Sequence, residues 1–276
     1  MFLEGQWPVL VGVCETWFAP AIQFRLKGYS TLRADRPGRV GGGLAVMVRE
    51  DVPCQPFTLT PFPEGVLEVL ALQLELASGW ASVMVAYNPC LSVFQAELDH
   101  YFTQLLSPSL VMGDFNARHP FWDPVLPPRS VNASGSSLYR FLLGSAHFSL
   151  LSPSGMQSRI DPHSGLASTL DLYLGAHFQG ADYSLGPYLG SDHLPLLASF
   201  PNLSVNLPHP TRPRWRLSAC LSGGPLPSKP YSRSLPGGGC QSLFSMVGVC
   251  GPASLHLVLP PIATPVWSSL VDRCVS

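Results

Sequence analysis

Leu110-Val111-Met112-Gly113-Asp114-Phe115-Asn116-Ala117-Arg118-His119-Pro120-Phe121-Trp122-Asp123 is the stretch on which the reading of this chain turns. Its first four residues are a compact apolar run closed by glycine, which predicts a short buried strand over 110–113. The strand ends at Asp114, with Asn116 two positions on. In an extended segment residues i and i+2 project to the same side. A carboxylate that orients or deprotonates water would then lie beside an amide that can hold a phosphate oxygen. Asp and Asn also favour turns for local reasons, so the pair gains meaning only from what the rest of the chain supplies.

Outward from this stretch, apolar runs between turn residues predict further strands at 9–14, 44–49 (after Gly41-Gly42-Gly43), 66–76, 81–87, 147–151, 169–174 and 194–200. Within 66–76, Leu70, Leu72, Leu74 and Leu76 share one face, with Gln73 and Glu75 on the other. Helical spacing of Phe94, Leu98, Phe102 and Leu105 predicts a helix over 93–106, and a second is expected over 136–143. Many strands with few helices imply an α/β domain, a sheet-on-sheet core with helices outside.

Four more polar clusters fall where strands end. Glu15 follows the run Val9 to Cys14, well placed to hold a hard cation such as Mg²⁺. Tyr87-Asn88-Pro89 puts a phenol, able to bond a phosphate oxygen, at the next strand end. Asp171 falls inside a strand pattern, where an unpaired carboxylate is costly, so it requires a cation or an imidazole as partner. Ser191-Asp192-His193 places a carboxylate and an imidazole in alternation, one free to face a metal and the other a phosphate. Each alone is a common loop feature. Together they supply the three things phosphodiester hydrolysis needs: a metal to neutralise the phosphate, a positioned water, and donors for developing negative charge. Phe121 and Trp122 beside Arg118 and His119 suit a stacked nucleic-acid strand.

The 276 residues carry a formal net charge of −1, so overall charge does not indicate a polyanion binder. The charge is unevenly placed: residues 1–200 carry a net −6 and residues 201–276 a net +5. Cysteines at 14, 54, 90, 220, 240, 250 and 274 form no CxxC pair and are odd in number, which argues against a zinc site or a complete disulfide framework. Glu4 and Glu15 bracket the short apolar run near the start, against a secretory signal, and four prolines break the uncharged stretch 241–271, against a membrane span. From Pro201 onward 12 prolines and 7 glycines accompany a loss of periodicity. The expected organisation is a domain over 1–200, a connector over 201–217 and an irregular or disordered tail over 218–276.

In order, Glu15-Thr16, Gly41-Gly42-Gly43-Leu44-Ala45-Val46, Tyr87-Asn88-Pro89, Gly113-Asp114-Phe115-Asn116, Ser168 to Asp171 and Ser191-Asp192-His193 resemble the endonuclease/exonuclease/phosphatase superfamily. The extended Gly113-to-Trp122 stretch and Pro213-Arg214-Trp215-Arg216-Leu217 look most like the apurinic-endonuclease-like domain of non-LTR retrotransposons, in the jockey or CR1 style. The resemblance covers 8–217. It implies a four-layer α/β sandwich, two packed and mainly antiparallel sheets flanked by helices. It also implies a monomer that nicks DNA in the nucleus with Mg²⁺ or Mn²⁺, leaving a 3′ hydroxyl. In that scheme Glu15 and Asp192 are similar to the metal-site carboxylates, and Tyr87 to the phosphate-contacting tyrosine. Asp114 corresponds to the residue that positions water, with Asn116 its partner amide, and Asp171 to the residue that orients the catalytic His193. Such domains begin with a strand bearing an asparagine, and here no asparagine precedes Asn88. An N-terminally truncated sandwich short of an internal strand is therefore expected. Two alternatives follow: an inactive remnant, or a relative acting on a small phosphoester.

Overall fold

The computed structural model describes residues 8–38, 41–207 and 254–259, the last as backbone alone. Strands predominate because β-branched and other apolar residues recur in short runs between turn formers. In chain order they are β1 (Leu10–Cys14), β2 (Tyr29–Ala34), β3 (Leu44–Arg49), β4 (Cys54–Phe57), β5 (Glu68–Leu76), β6 (Gly79–Tyr87), β7 (Ser109–Asp114), β8 (Phe148–Leu150), β9 (Arg159–Ile160), β10 (Ala167–Ser168), β11 (Asp171–Ala176), β12 (Asp182–Leu185), β13 (Leu196–Ser204) and β14 (Ser254–Leu259). Among the described residues two α-helices, α1 (Gln95–Phe102) and α2 (Ala133–Gly144), interrupt them.

The strands form two six-stranded sheets, ordered β12-β13-β14-β1-β3-β2 and β4-β5-β6-β7-β11-β8, with β9 and β10 a separate pair. Pairing is antiparallel except for β1 with β14 and β6 with β7. The sheets pack face to face. Leu10, Leu44, Val46 and Val48 of one meet Leu72, Leu74, Val83, Val85, Leu110, Met112 and Tyr173 of the other. Each such side chain taken from water contributes about 1.5–3 kcal/mol before entropy is counted. The second sheet's outer face is roofed by both helices, whose Leu98, Phe102, Leu138 and Phe141 sit on Met84, Val111, Leu172 and Leu174. The first sheet's outer face presents Val11, Tyr29 and Met47 to Phe24 and Leu26 of an irregular segment. The α/β sandwich is as expected; among the described residues both helices flank the same sheet.

Three details depart from the sequence reading for identifiable reasons. Gln73, expected on the face opposite the leucines, is buried there too, and its side chain accepts a 2.6 Å hydrogen bond from Gln55, because β5 lies inside a sheet covered on both sides. Helix α2 begins three residues early because Asn132 caps it, accepting from the Gly135 N–H at 2.7 Å. Helix α1 starts later than 93 because Phe94, at its N-cap, is extended (φ −86°, ψ 150°), while the preceding Val93 N–H donates to the Ser134 hydroxyl.

Strand β14 lies in the stretch read as irregular. It pairs in parallel with β1 (Leu10↔Leu257, Val11↔Val258) and antiparallel with β13, from Leu196↔Leu259 to Phe200↔Leu255. The interior place between β1 and β13 is thus filled from the far end of the chain. Two strands with unpaired edges facing one another are a ready template for a third.

Gly113 shows how tightly this geometry is held. Its neighbour across the parallel β6–β7 pair is Ala86, and a Cβ at position 113 would overlap the Ala86 carbonyl. Only glycine lets the two strands come together one residue before Asp114.

Candidate active site

Register brings the polar residues together. Strands β6, β7 and β11 are neighbours whose ends align, so that Tyr87 pairs with Asp114 and Asp114 with Asp171. From the other sheet, β1 hands Glu15 into the same region, and the segment entering β13 brings Asp192 and His193. The His193 segment is zipped onto β9: the Ile160 N–H donates to the Asp192 carbonyl at 2.7 Å, and the Leu194 N–H to the Ser158 carbonyl at 2.6 Å.

At the centre is a buried chain of acid, imidazole and acid. The Nδ1 of His193 lies 2.8 Å from Asp171 Oδ2, and its Nε2 lies 4.0 Å from Asp114 Oδ2. All three residues are buried. Asn116 folds back through a left-handed backbone (φ 43°), giving Asp114 its N–H at 2.9 Å and its amide at 3.0 Å. Glu15 also adopts a positive φ, 54°, and accepts a hydrogen bond from the Tyr87 hydroxyl. Left-handed non-glycine residues cost on the order of 1–3 kcal/mol each, and they cluster where geometry serves a task.

Two carboxylates buried side by side are costly unless a charge answers them. Burial pushes the Asp114 carboxyl up to about 7, the Asp171 charge adding to the rise and His193 opposing it. Burial alone would lower His193, but the charge and hydrogen bond of Asp171, helped by Asp114 and Asp192, outweigh it and raise the imidazole to about 9. Both groups therefore hold a proton more tightly folded than unfolded. The imidazolium's stabilisation is complete below its unfolded value of 6.5 and is lost as pH rises through about 9. Ionising Asp114, between its unfolded 3.8 and about 7, removes stability in the same direction. In EDTA, the melting temperature should fall between pH 6 and pH 9, and Asp171→Asn should flatten that fall. A wild-type melting temperature that rose over this range would contradict the assignment.

Glu15 is pushed up by burial, opposed by a hydrogen bond from the Trp17 side chain and by the charges of Arg36 and His193, with Asp192 adding to the rise. Asp192 accepts from Arg159 Nε at 3.1 Å. The donors facing one another here are hard oxygens. The nearby Cys14 thiol is held well up by burial and donates to the Ala86 carbonyl. Among the described residues no three His, Cys, Asp or Glu form a closed metal cage. An open set of one or two carboxylates fits a hard cation that keeps water and takes its other ligands from a phosphate.

The residues expected to hold a nucleic-acid strand separate. Trp122 is fully buried and its indole N–H is given to the Ala117 carbonyl at 2.9 Å, so it offers no face to a base. The expectation placed on Trp122 is corrected on that ground. Phe121 is the exposed aromatic. His119 stacks on Tyr139, with ring centroids 4.1 Å apart. Arg118 is fixed through its backbone, whose N–H donates to Asn132 at 2.9 Å.

Several contacts that position these residues escaped the sequence reading. Asn132, besides capping α2, donates to the Asn116 carbonyl at 2.7 Å, tying the helix start to the Asp114 loop. Asn88 is fully buried and ties the end of β6 to Phe115 at 2.9 Å and Ser134 at 3.1 Å. Asp123 accepts from the Thr169 N–H, and Ser158 from the Asp171 N–H. The Asn132-Ala133-Ser134-Gly135 run carries a helix-cap signal; the other contacts leave no local signature.

Comparison with known proteins bears on the fold and on what the chain is similar to. Residues 81–197 match a family model described as endonuclease-reverse transcriptase. The RNA-directed DNA polymerase from mobile element jockey of Drosophila funebris is 25% identical over 189 residues, 66% of this chain but 20% of that protein. The match thus spans about a fifth of the relative's length. Among solved structures, the endonuclease domain of TRAS1, a telomere-specific non-LTR retrotransposon, superposes with a TM-score of 0.50 at 13% identity, covering 66% of this chain and 82% of that one. At that identity the likeness concerns the fold. No helix among the described residues is long and apolar enough to cross a membrane.

Proposed function

We propose that the chain is a member of the endonuclease/exonuclease/phosphatase superfamily, similar to its retrotransposon endonucleases, and that it is a divalent-metal-dependent phosphodiesterase that nicks one strand of DNA as a monomer. The observation that carries this reading is the buried chain Asp171–His193–Asp114, flanked by the Tyr87–Glu15 pair at the ends of adjacent strands. An imidazole held charged between two carboxylates, beside a phenol and an amide, suits a reaction that places negative charge on phosphate oxygens.

In the proposed reaction Asp114, its Oδ2 braced by Asn116, orients the attacking water and takes its proton. The water oxygen bonds to phosphorus as the bond from phosphorus to the 3′ oxygen breaks, and that oxygen takes up a proton from solvent. His193 and Tyr87 donate to the non-bridging oxygens as charge grows. Asp171 keeps the imidazole oriented. Glu15 and Asp192 would hold Mg²⁺ or Mn²⁺, which when bound neutralises the phosphate and steadies the leaving oxygen. Arg118, His119 and the exposed Phe121 line the approach to the Asp114 loop, where a DNA strand would run.

The test is direct. Purified chain incubated with supercoiled plasmid and Mg²⁺ or Mn²⁺ should yield nicked circles with 3′-hydroxyl ends, and EDTA should stop it. An inositol phosphate and a sphingolipid phosphodiester, assayed alongside, should turn over far more slowly. Hydrolysis of either small substrate with plasmid left intact would replace the DNA reading.

A further inference from the structure

Resting on that reading, we propose that Arg36 is a positioning residue of the site, locking the Tyr87 ring so that its hydroxyl meets Glu15. Arg36 lies between β2 and β3, outside every cluster singled out from the sequence. Its Nε pairs with Glu68, the first residue of β5 and the direct cross-strand partner of Tyr87. Its guanidinium carbon lies 5.8 Å from the centroid of the Tyr87 ring. The same group lies against Gly42, at φ 71°, where any Cβ would overlap the guanidinium. Glu68 completes the clamp by accepting the Gly43 N–H at 2.7 Å. The glycine run is in turn bonded to the residues after Glu15: the Thr16 N–H donates to the Gly43 carbonyl at 3.1 Å and the Trp17 N–H to the Gly42 carbonyl at 2.9 Å.

Arg36 thus joins three parts of the site: the glycine turn, the Tyr87 ring and the loop carrying Glu15. Its Nη2 is buried without a hydrogen-bond partner. An unmet buried donor on a charged group costs about 1–3 kcal/mol or more, set against the ion pair that the same guanidinium makes with Glu68. A cation near the face of the tyrosine ring restrains it, and the planar guanidinium fits flat on a glycine in a way a lysine ammonium does not. The arginine therefore acts through Tyr87, and the glycine at 42 is what makes room for it.

A double-mutant cycle on plasmid nicking tests this. Arg36→Gln should lower kcat about 10–100-fold with KM little changed, the range seen when residues that orient a first contact are removed. In a Tyr87→Phe background the same change should alter the rate less than about twofold, because the residue it acts through has lost its hydroxyl. Arg36→Lys should recover only part of the loss. The Arg36→Gln/Glu68→Gln double variant, which leaves no carboxylate unpaired, guards against misfolding and should show the same deficit with a cooperative melt. Independently of activity, the ¹³C-labelled Tyr87 ring resonance, assigned by its absence in Tyr87→Phe, should move in Arg36→Gln and not in Arg118→Gln. Losses that multiply in the cycle, or a Tyr87 resonance that stays in place, would overturn the proposal. A wild-type chain that nicks nothing would sink the nuclease reading, while the resonance would still decide whether Arg36 positions Tyr87.

Discussion

His193→Ala should reduce metal-dependent nicking by about 10²–10⁴-fold, the range for losing a positioned proton-transfer group. Asp114→Asn should cost a similar factor. The two sit at opposite ends of one imidazole contact, 4.0 Å apart, and groups that act as a unit are not additive. The double variant should therefore be little slower than the worse single one. Removing the imidazole also leaves Asp171 and Asp114 as buried neighbours with no charge between them. His193→Ala is accordingly expected to melt lower than wild type, whereas Asp114→Asn, which removes one of two repelling carboxylates, should melt at the same temperature or higher. That pairing separates chemistry from folding: Asp114→Asn would be the more stable and yet nearly inactive protein. Nicking at wild-type rates in both variants would refute the site.

Leu257→Pro should abolish both nicking and cooperative unfolding, although position 257 lies more than 60 residues from His193 in sequence. Strand β14 is interior, paired with β1 on one side and β13 on the other. Proline inside such a strand removes a ladder hydrogen bond and is tolerated essentially only at edges or bulges, and the buried carbonyl it leaves unmet costs about 1–3 kcal/mol. Against a total stability of about 5–15 kcal/mol that is a large fraction. The functional loss follows from what β14 joins. Strand β1 leads into Glu15 and β13 follows Asp192 and His193, and β1 and β13 do not touch through hydrogen bonds of their own. The distance between the carboxylate side and the imidazole side of the site is thus set through a strand that carries no site residue. Circular dichroism melts and plasmid nicking on the full-length variant check both halves; full activity with an unchanged melt would show that β14 is dispensable.

Much of the fold was legible because local pattern and final environment coincide. Strand β3 was expected and found over the same residues, Leu44–Arg49, since a glycine turn precedes it and its residues are apolar on both faces. Strands β6, β7 and β11 were found to within a few residues for the same reason. Strands β2, β4 and β12 passed unnoticed: Tyr29-Ser30-Thr31-Leu32-Arg33-Ala34 and Asp182-Tyr183-Ser184-Leu185 mix polar and apolar residues and lie at sheet edges, where pairing rather than burial holds them. Strand β14 escaped because proline and glycine around it dominate the composition of its neighbourhood, while its partners lie far away in sequence.

What the sequence determined by itself was the cast and its placement: Glu15, Tyr87 and Asp114 where apolar runs stop, Asp171 inside one and His193 just before one, because a strand's alternation and its limits are local properties of a few residues. Tertiary structure alone decided who faces whom. Register across β6, β7 and β11 set Tyr87 beside Asp114 and Asp114 beside Asp171, and the pairing of the His193 segment with β9 brought the imidazole between the two acids. Tertiary packing also buried Trp122, which its place beside Arg118 and His119 had offered to a nucleic-acid strand, and brought Arg36 to Tyr87 over Gly42. Those outcomes depend on contacts between residues distant along the chain, whose energies exist only once the two sheets have closed on each other.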